Sequence, residues 1–398
     1  IMAKKIALIS FCTPTFNNSG AASALPYHLA LGAKDGGRCD IEIWTYNLNN
    51  VDKAGIKKTE EELGAVIHLL PVPAWYRWMF KLHLSILRVF LHFPLLAYFR
   101  LDKAAVRTVN EYNPDIVWIY GEELAGLAAC FPESDRIVTM PDSESLYYHR
   151  VLATDFMTLR LSQVLRYGLA YWQYRSMDRQ KSIDGVRYHF VGEADTAFYK
   201  GINPASDAVF LRHPHYAWRP RTISFNKPRI RILLAGRYDI FCQHGSDDLL
   251  RAIMSAEGLR SSYEITFLGR GWERWCDRLR QARWTVNHII FAPDYIEEIQ
   301  RHDIQINAID LGTGTKGKVL DALANGLLAF GTPLALENID VDNGKSCIVY
   351  HTAAEAVGIL KEIAASSARY EAIAEAGRKA VLGPSHDNVM VAKQLFRF

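Results

Sequence analysis

Short apolar runs alternate with amphipathic stretches along most of the chain, and this alternation is typical of a parallel α/β protein. Buried parallel strands read as continuous apolar runs because helices cover both faces of their sheet. Such runs, each followed by a polar or glycine-containing turn, occur at 6–10, 115–120, 136–140 and 229–235. Neither the apolar runs nor the amphipathic stretches continue through 213–220, where prolines interrupt the sequence HPHYAWRP. We therefore expect an interdomain linker there.

The length of the chain predicts two domains. A chain of 398 residues is too long for one ordinary hydrophobic core. We expect an N-terminal α/β domain over 1–215 and a C-terminal α/β domain over 216–384. The remaining residues, 385–398, show helical spacing and predict a last amphipathic helix.

The most informative stretch is the strand, loop and helix between Asp303 and Pro333. An apolar run is followed by the glycine-rich loop 312–317, and then by a helix that Asn325 and Gly326 should close. Glycines permit close backbone approach, and the first turn of a helix offers unpaired amides to an anion. A glycine loop alone would be an ordinary turn. The two lysines Lys316 and Lys318 in the same stretch favour phosphate binding.

A family resemblance begins at these residues. The run GTGTKGKVLDALANGLLAFGTP, followed by Glu337-Asn338-Ile339 and Asp342-Asn343-Gly344, resembles the donor-binding segment of group 1 (family 4-like) glycosyltransferases. The resemblance covers 229–358 and is only organisational before residue 213. It implies the GT-B fold, in which two Rossmann-like domains face each other across a cleft. It also implies that the first domain is the acceptor side and that the final helix crosses back to it.

The resemblance further implies a set of donor-binding residues. Those expected near the nucleotide sugar are Gly20, Gly236, Arg237, His244, Gly269, Gly314, Thr315, Lys316 and Asp321. His244 stands where the family has a lysine before glycine. The family commonly has two glutamates eight residues apart. Here Asp321 occupies the second position and Thr313 the first, so a carboxylate contact to the donor sugar and the retaining stereochemistry do not carry over.

Three carboxylates are candidates for proton transfer. Asp142 and Glu144 follow the strand 136–140, where parallel α/β sheets bind ligands, and Asp239 follows Arg237. Helix capping by Asp142 or Ser143 is an open alternative. Since no Asp-x-Asp pair suggests a metal-bound diphosphate, we expect a metal-independent enzyme without a cofactor, whose nucleotide sugar is a substrate.

The segment 75–100 is the most apolar and aromatic part of the chain, and it has two interpretations. Charges such as Lys81 and Arg88 make a membrane span unfavourable, by about 2.5 to 3.5 kcal/mol each near a bilayer centre. A helix lying on an anionic membrane surface would suit this mixture of aromatic and basic residues. The alternative is a pair of buried helices in the first domain.

Composition excludes some classes of protein. A formal net charge of +3 argues against a nucleic-acid binder that depends on many phosphate contacts. Six scattered cysteines without a CxxC pair indicate reduced thiols and offer no zinc spacing. The apolar run at 6–9 is too short for a signal peptide, so we expect a cytoplasmic protein, peripheral on the inner face of the membrane if 75–100 binds it.

These observations predict a glycosyltransferase that adds a sugar from a nucleotide sugar to a growing surface glycan of lipid-linked, capsular or lipopolysaccharide type. Three alternatives stay open. His213-Pro214 is similar to a motif of some CMP-sugar transferases, which would make the donor a CMP-linked acidic sugar. A sugar-nucleotide epimerase shares the architecture. A noncatalytic nucleotide- or glycan-binding subunit of an assembly complex would fit the missing glutamate at Thr313.

Overall fold

The computed structural model describes residues 3–17, 23–156 and 158–398. The chain divides into two compact units. One contains Ile1–Pro214 together with Asn388–Phe398, and the other contains His215–Asp387. Among the described residues, no helix combines the length and apolar character needed to cross a membrane.

The first unit is built on a seven-stranded sheet whose strands are all parallel. They are β1 Lys4–Ser10, β2 Cys39–Thr45, β3 Val66–Leu69, β4 Ile116–Tyr120, β5 Asp135–Thr139, β6 Val186–Phe190 and β7 Asp207–Phe210. Their spatial order is β3-β2-β1-β4-β5-β6-β7. The chain therefore reverses direction across the sheet between β1 and β4, which is the doubly wound arrangement of Rossmann-like domains.

Helices connect these strands. They are α1 Ala24–Asp35, α2 Lys53–Leu63, α3 Ala74–Lys81, α4 Lys103–Tyr112, α5 Glu144–Ala153, α6 Leu161–Lys181 and α7 Glu193–Ile202, with 3-10 helices at Leu84–Phe90, Leu95–Tyr98 and Glu122–Cys130. All five residues of the central strand β4 are buried, as the continuous apolar run IVWIY predicts for a strand covered on both faces.

The apolar segment 75–100 is not one continuous helix, so that element of the interfacial interpretation is wrong. Its α-helix ends at Lys81, because His83 adopts a left-handed backbone conformation (φ 52°) and the chain continues in 3-10 turns. Pro94 starts a second 3-10 turn. The segment also divides in burial, since Ile86 and Phe90 are 70% and 81% exposed whereas Phe99 is 1% exposed. The buried-helix interpretation therefore fails for the middle of the segment.

The second unit is built on a six-stranded parallel sheet. Its strands are β8 Ile230–Ala235, β9 Tyr263–Leu268, β10 Val286–Ile289, β11 Ile304–Asn307, β12 Leu328–Gly331 and β13 Ile348–Val349, in the order β10-β9-β8-β11-β12-β13. Its helices are α8 Gln243–Ser255, α9 Glu273–Gln281, α10 Tyr295–Ile299, α11 Gly317–Ala324, α12 Pro333–Leu336, α13 Ala353–Ala365 and α14 Ala368–Val381, with 3-10 helices at Glu257–Ser261 and Pro384–His386. The strand order again reverses beside the first strand of the unit, between β8 and β11.

The last helix, α15 Asn388–Phe396, belongs to the first unit and packs against α1. The Phe396 ring meets Trp118 of β4 edge to face, and Lys4 Nζ donates to the Phe396 carbonyl at 3.2 Å. The two helices approach closely at Gly32, where a Cβ atom would lie 2.2 Å from the Asn388 carbonyl oxygen. A residue without a side chain is therefore required at this crossing.

We expect Gly32→Ala to lower the free energy of unfolding of the first unit by about 1–3 kcal/mol, because overpacking forces α1 and α15 apart. Gly168→Ala is the matched control, since Gly168 lies within α6 and no atom lies within 4 Å of its Cβ position. That change should stabilise by up to about 1 kcal/mol, because alanine favours helix more than glycine does. Urea unfolding of both variants measures the difference, and equal midpoints would contradict the close contact.

Candidate functional site

Three glycine turns follow the carboxyl ends of neighbouring strands in the second unit. Gly236 follows β8, Gly269 follows β9, and Gly312 lies in the loop after β11, with φ values of 130°, 141° and 147°. A Cβ atom on Gly269 would lie 2.2 Å from the carbonyl oxygen of Gly236, so only glycine fits there. Trp272 Nε1 donates to the same carbonyl at 2.8 Å. The turns after β8 and β9 therefore form a rigid backbone edge where parallel sheets bind ligands.

The side chain of Lys316 is held inside its own loop. Its ammonium donates to the carbonyls of Thr313 and Gly314, each at 3.1 Å, and to the Glu337 carboxylate at 3.0 Å. These contacts use the three protons of an ammonium group. The Asn338 amide also donates to Gly314, at 2.9 Å. Lys316 thus stabilises the loop in this structure, although the sequence indicated it as the phosphate ligand.

Lys318, two residues further, faces the neighbouring turn. Its Nζ atom lies 3.7 Å from the position that a Cβ of Gly236 would occupy. The residue is exposed, but neighbouring groups partly desolvate its ammonium. This desolvation lowers the pKa of Lys318, while Asp321 and Asp239 oppose the shift. Lys318 therefore offers a positive charge at the turn after β8. The sequence showed the lysine but not that its position on α11 points it there.

Asp321 lies one turn further along α11 and is 8% exposed. Burial raises the pKa of its carboxyl group to about 7, and Lys318 works against that shift. The hydroxyl of Tyr295, at the start of α10, is buried without a hydrogen-bond partner among the described residues, and Asp321 contributes to raising its pKa. A half-charged carboxyl and an unused hydroxyl are well suited to bind the hydroxyl groups of a ligand.

Arg237 and Asp239 lie in the turn after β8. The Arg237 side chain is exposed, and none of the described residues hydrogen-bonds its guanidinium. The Asp239 carboxylate accepts the Phe241 N–H at 3.1 Å. Burial raises the pKa of Asp239, while that N–H, Arg237 and Lys318 lower it. The guanidinium is thus available to a ligand, whereas the carboxylate shapes the turn.

The beginning of α8 is occupied by a carboxylate of the chain itself. The Gly245 N–H donates to Asp310, and a Cβ on Gly245 would lie 2.6 Å from Asp310 Oδ1. Burial raises the pKa of Asp310, and this hydrogen bond opposes the shift. His244, the residue before Gly245, places its Nε2 atom 3.6 Å from Asp248 Oδ2. The position that matches the family's lysine-glycine pair is therefore filled by Asp310, and no pattern in the sequence indicated this contact.

The remaining predicted donor-side residues are located as follows. Gly314 and Thr315 lie in the loop that Lys316 holds, with Thr315 half-buried. Gly20 lies outside the described residues. Within the described part of the chain, no group of three or more His, Cys, Asp or Glu side chains is arranged to hold a metal ion.

The two carboxylates predicted in the first unit differ in environment. Asp142 is exposed in the turn after β5, and Glu144 begins α5. The capping alternative holds for Ser143, whose Oγ accepts the Leu146 N–H at 3.3 Å. Burial raises the pKa of Glu144 to about 8, and the charges of Glu123 and Asp142 add to the shift. Glu144 therefore holds its proton at neutral pH, near the range that proton transfer requires.

Comparison with known proteins agrees with this fold. Residues 246–397 match the family model described as glycosyl transferase-like. A crystal structure of a glycosyltransferase from Rickettsia africae ESF-5 superposes with a TM-score of 0.61 at 13% identity, over 99% of this chain and 97% of that chain. Anabaena Alr3699/HepE in complex with UDP gives 0.62 at 10%, over 99% and 98%. WaaG, a glycosyltransferase involved in lipopolysaccharide biosynthesis, gives 0.56 at 12%, over 98% and 99%.

No curated protein sequence matches the chain. The two parallel-sheet domains have the fold of GT-B glycosyltransferases, and the part of the chain from 246 to 397 matches a glycosyltransferase-like family model. The predicted fold class and the resemblance are confirmed at this level.

We expect Lys316→Met to lower the free energy of unfolding of the second unit by about 1–3 kcal/mol, because the carbonyls of Thr313 and Gly314 each lose one donor and Glu337 loses its cation. Lys345→Met should change it by less than about 0.5 kcal/mol, since that side chain is 79% exposed. Urea unfolding measures both. A Lys316→Met protein as stable as the parent would show that this ammonium is dispensable to the loop.

Proposed function

We propose that the protein transfers a sugar from a nucleotide diphosphate sugar to a growing surface glycan of lipid-linked, capsular or lipopolysaccharide type. The observation that carries the donor half of this proposal is the edge of the second sheet. There the glycine turns at Gly236 and Gly269 adjoin the cations Arg237 and Lys318, with the buried Asp321 close by.

On the donor side, the diphosphate binds the two cations. Arginine can donate two parallel hydrogen bonds to a phosphate, and a lysine acts as a point charge. These charges also stabilise the negative charge that develops on the leaving nucleotide, so no metal ion or cofactor is needed for that step. Asp321 and the Tyr295 hydroxyl bind the ribose hydroxyls. The UDP bound to Anabaena Alr3699/HepE supports a uridine nucleotide as the first donor to test.

On the acceptor side, Glu144 takes the proton from the attacking hydroxyl group, with Asp142 beside it in the same turn. A base with a pKa near 8 is mostly protonated at neutral pH, and its active fraction grows as the pH rises. Asp239 remains a further carboxylate on the donor side. The similar fold of WaaG, which is involved in lipopolysaccharide biosynthesis, supports a surface glycan as the product.

A surface of the first unit supports attachment to an anionic membrane from the cytoplasmic side. Exposed apolar side chains come from α3, the following 3-10 turn and α6, and include Trp78, Phe80, Leu82, Ile86, Phe90, Leu161 and Leu165. Cations accompany the aromatic rings, with Lys81 over Trp78 and Arg88 over Phe80. The Gln173 amide fixes the 3-10 turn to α6 by donating to the carbonyls of Arg88 and Leu91. Apolar bulk with adjacent cations suits the headgroup region of an anionic bilayer.

For the donor site, we expect Arg237→Ala and Lys318→Ala each to weaken UDP binding by about 10- to 100-fold, because each removes a charged hydrogen bond to phosphate. Lys345→Ala, an exposed lysine of the same unit, should leave the affinity unchanged. Calorimetry with UDP, GDP, dTDP and CMP measures these affinities and identifies the base. Parental affinity in both variants would remove this edge as the diphosphate site, and CMP as the one nucleotide bound would favour the acidic-sugar alternative.

For the membrane surface, we expect Lys81→Glu with Arg88→Glu to abolish flotation with anionic liposomes while the melting temperature stays close to that of the parent. Each basic residue near an anionic surface contributes roughly 1 kcal/mol, and salt weakens the contribution. Lys103→Glu with Arg107→Glu, on α4, is the matched control, because it makes the same change in charge elsewhere on the unit. Failure of the parent to float, or equal losses in both variants, would exclude a specific membrane surface.

A further inference from the structure

A pair of carboxyl groups lies inside the first unit beneath the beginning of α5. Glu122, which starts the 3-10 helix after β4, is 4% exposed, and Asp178, near the end of α6, is 3% exposed. Glu122 Oε1 and Asp178 Oδ1 are both fully buried and have no donor among the described residues. The two side chains nevertheless lie within hydrogen-bonding reach of each other.

Two ionised carboxylates cannot hydrogen-bond each other, because neither has a proton to donate. In a buried site their repulsion and the cost of desolvating both charges are large. A single proton shared by the two groups removes both costs, since it makes one group a donor and leaves one charge.

The other oxygen of each carboxyl group binds the first turn of α5. Glu122 Oε2 accepts the backbone N–H of Glu144 at 3.2 Å. Asp178 Oδ2 accepts the hydroxyl of Ser145 at 2.5 Å. Ser143, the residue before α5, is also fixed, because its N–H donates to Asp195 at 2.8 Å.

We propose that Glu122 and Asp178 share one proton and that this carboxyl pair positions Glu144 for proton transfer. The second clause rests on the proposed function, whereas the first does not. Glu122 and Asp178 are positioning residues, because they act through the amide of Glu144 and the hydroxyl of Ser145.

The groups around the pair agree with a retained proton. Burial raises the pKa of Glu122 well above its usual range, and the charges of Asp178, Glu123 and Glu144 add to this. Burial raises the pKa of Asp178 to about 6, while Ser145, Glu122 and the Arg175 cation lower it. The neighbouring phenols, Tyr174 on α6 and Tyr199 on α7, stay neutral because burial raises their pKa values.

The sign of the pH dependence follows from these shifts. Unfolded carboxyl groups lose their protons near pH 4, whereas the folded pair retains one to a higher pH. The folded state therefore binds more protons than the unfolded state above about pH 4, and stability falls as the pH rises through the raised pKa values. The usual carboxylate behaviour, a gain of stability with pH, is reversed here.

The test compares urea unfolding of the first unit from pH 5 to pH 9 in the parent protein, Glu122→Gln and Asp178→Asn. Glutamine can accept the Glu144 N–H and donate its amide to Asp178, so it replaces the shared proton permanently. We expect Glu122→Gln to reduce the loss of stability between pH 5 and pH 9 and to leave the part that the raised pKa of Glu144 causes. Glu111→Gln, whose side chain is 67% exposed, should retain the parental dependence. Equal pH dependence in all variants would overturn the shared proton.

Infrared spectroscopy detects a shared proton as a carboxylic acid C=O band. The folded parent protein should show this band at neutral pH, and folded Glu122→Gln should lack the part that belongs to the pair. Asp178→Asn serves in the same way where Glu122→Gln does not fold. A parent spectrum without a carboxylic acid band, or the same band in the parent and a folded variant, would overturn the proposal.

Activity tests the positioning clause separately. Glu122→Gln should shift the pH profile of kcat and leave KM for the donor within about two-fold, whereas a purely structural role would change only the amount of folded enzyme. An unshifted profile would overturn the positioning clause. If no donor is turned over by the parent protein, the proposed function fails, while unfolding and infrared data still decide whether the proton is shared.

Discussion

The close approach of two backbone turns organises the second unit. Gly269 can lie against the carbonyl of Gly236 because neither turn carries a side chain at the contact, and the Trp272 indole fixes the same carbonyl. Any larger residue at 269 would separate β8 from β9 at their carboxyl ends. The edge formed in this way is mostly backbone, so the charged side chains that surround it determine which ligand it can bind.

The lysines and carboxylates of this edge have divided roles. Lys316 is held within its own loop by two carbonyls and Glu337, while Lys318 faces the turn at Gly236. Asp310 accepts the Gly245 N–H at the start of α8, an amide that could otherwise bind an anion. The positive charge available to a ligand at the turn after β8 therefore comes from Arg237 and Lys318. The sequence pattern alone would assign this charge to Lys316, because Lys316 lies within the glycine loop.

Burial is the main influence on the pKa of four carboxyl groups in the two units. Asp321, Glu144, Glu122 and Asp178 all have raised pKa values, and in each case burial is the largest cause. Such groups destabilise the folded protein at alkaline pH, because they retain protons that the unfolded chain has lost. Raised carboxyl pKa values concentrate at functional sites, where proton transfer and hydrogen-bond donation need a neutral acid near pH 7.

The sequence by itself determined the class of the fold and most of its elements. Continuous apolar runs such as IVWIY predict buried parallel strands, and the glycine loop before α11 marks the carboxyl edge of the second sheet. These features are local, since a strand covered on both faces or a helix closed by Asn325 and Gly326 is encoded by neighbouring residues. The GT-B architecture followed from the resemblance that the same loop carries.

Tertiary structure decided which side chains share a site. The contacts between Gly245 and Asp310, between Lys318 and the turn at Gly236, and between Glu122 and Asp178 join residues that are distant in sequence. The break of the apolar segment at His83 likewise follows from a backbone conformation that no periodicity reveals. Periodicity reports which face of an element is buried, but the partners across that face, and hence the pKa of each buried acid, depend on how the elements pack.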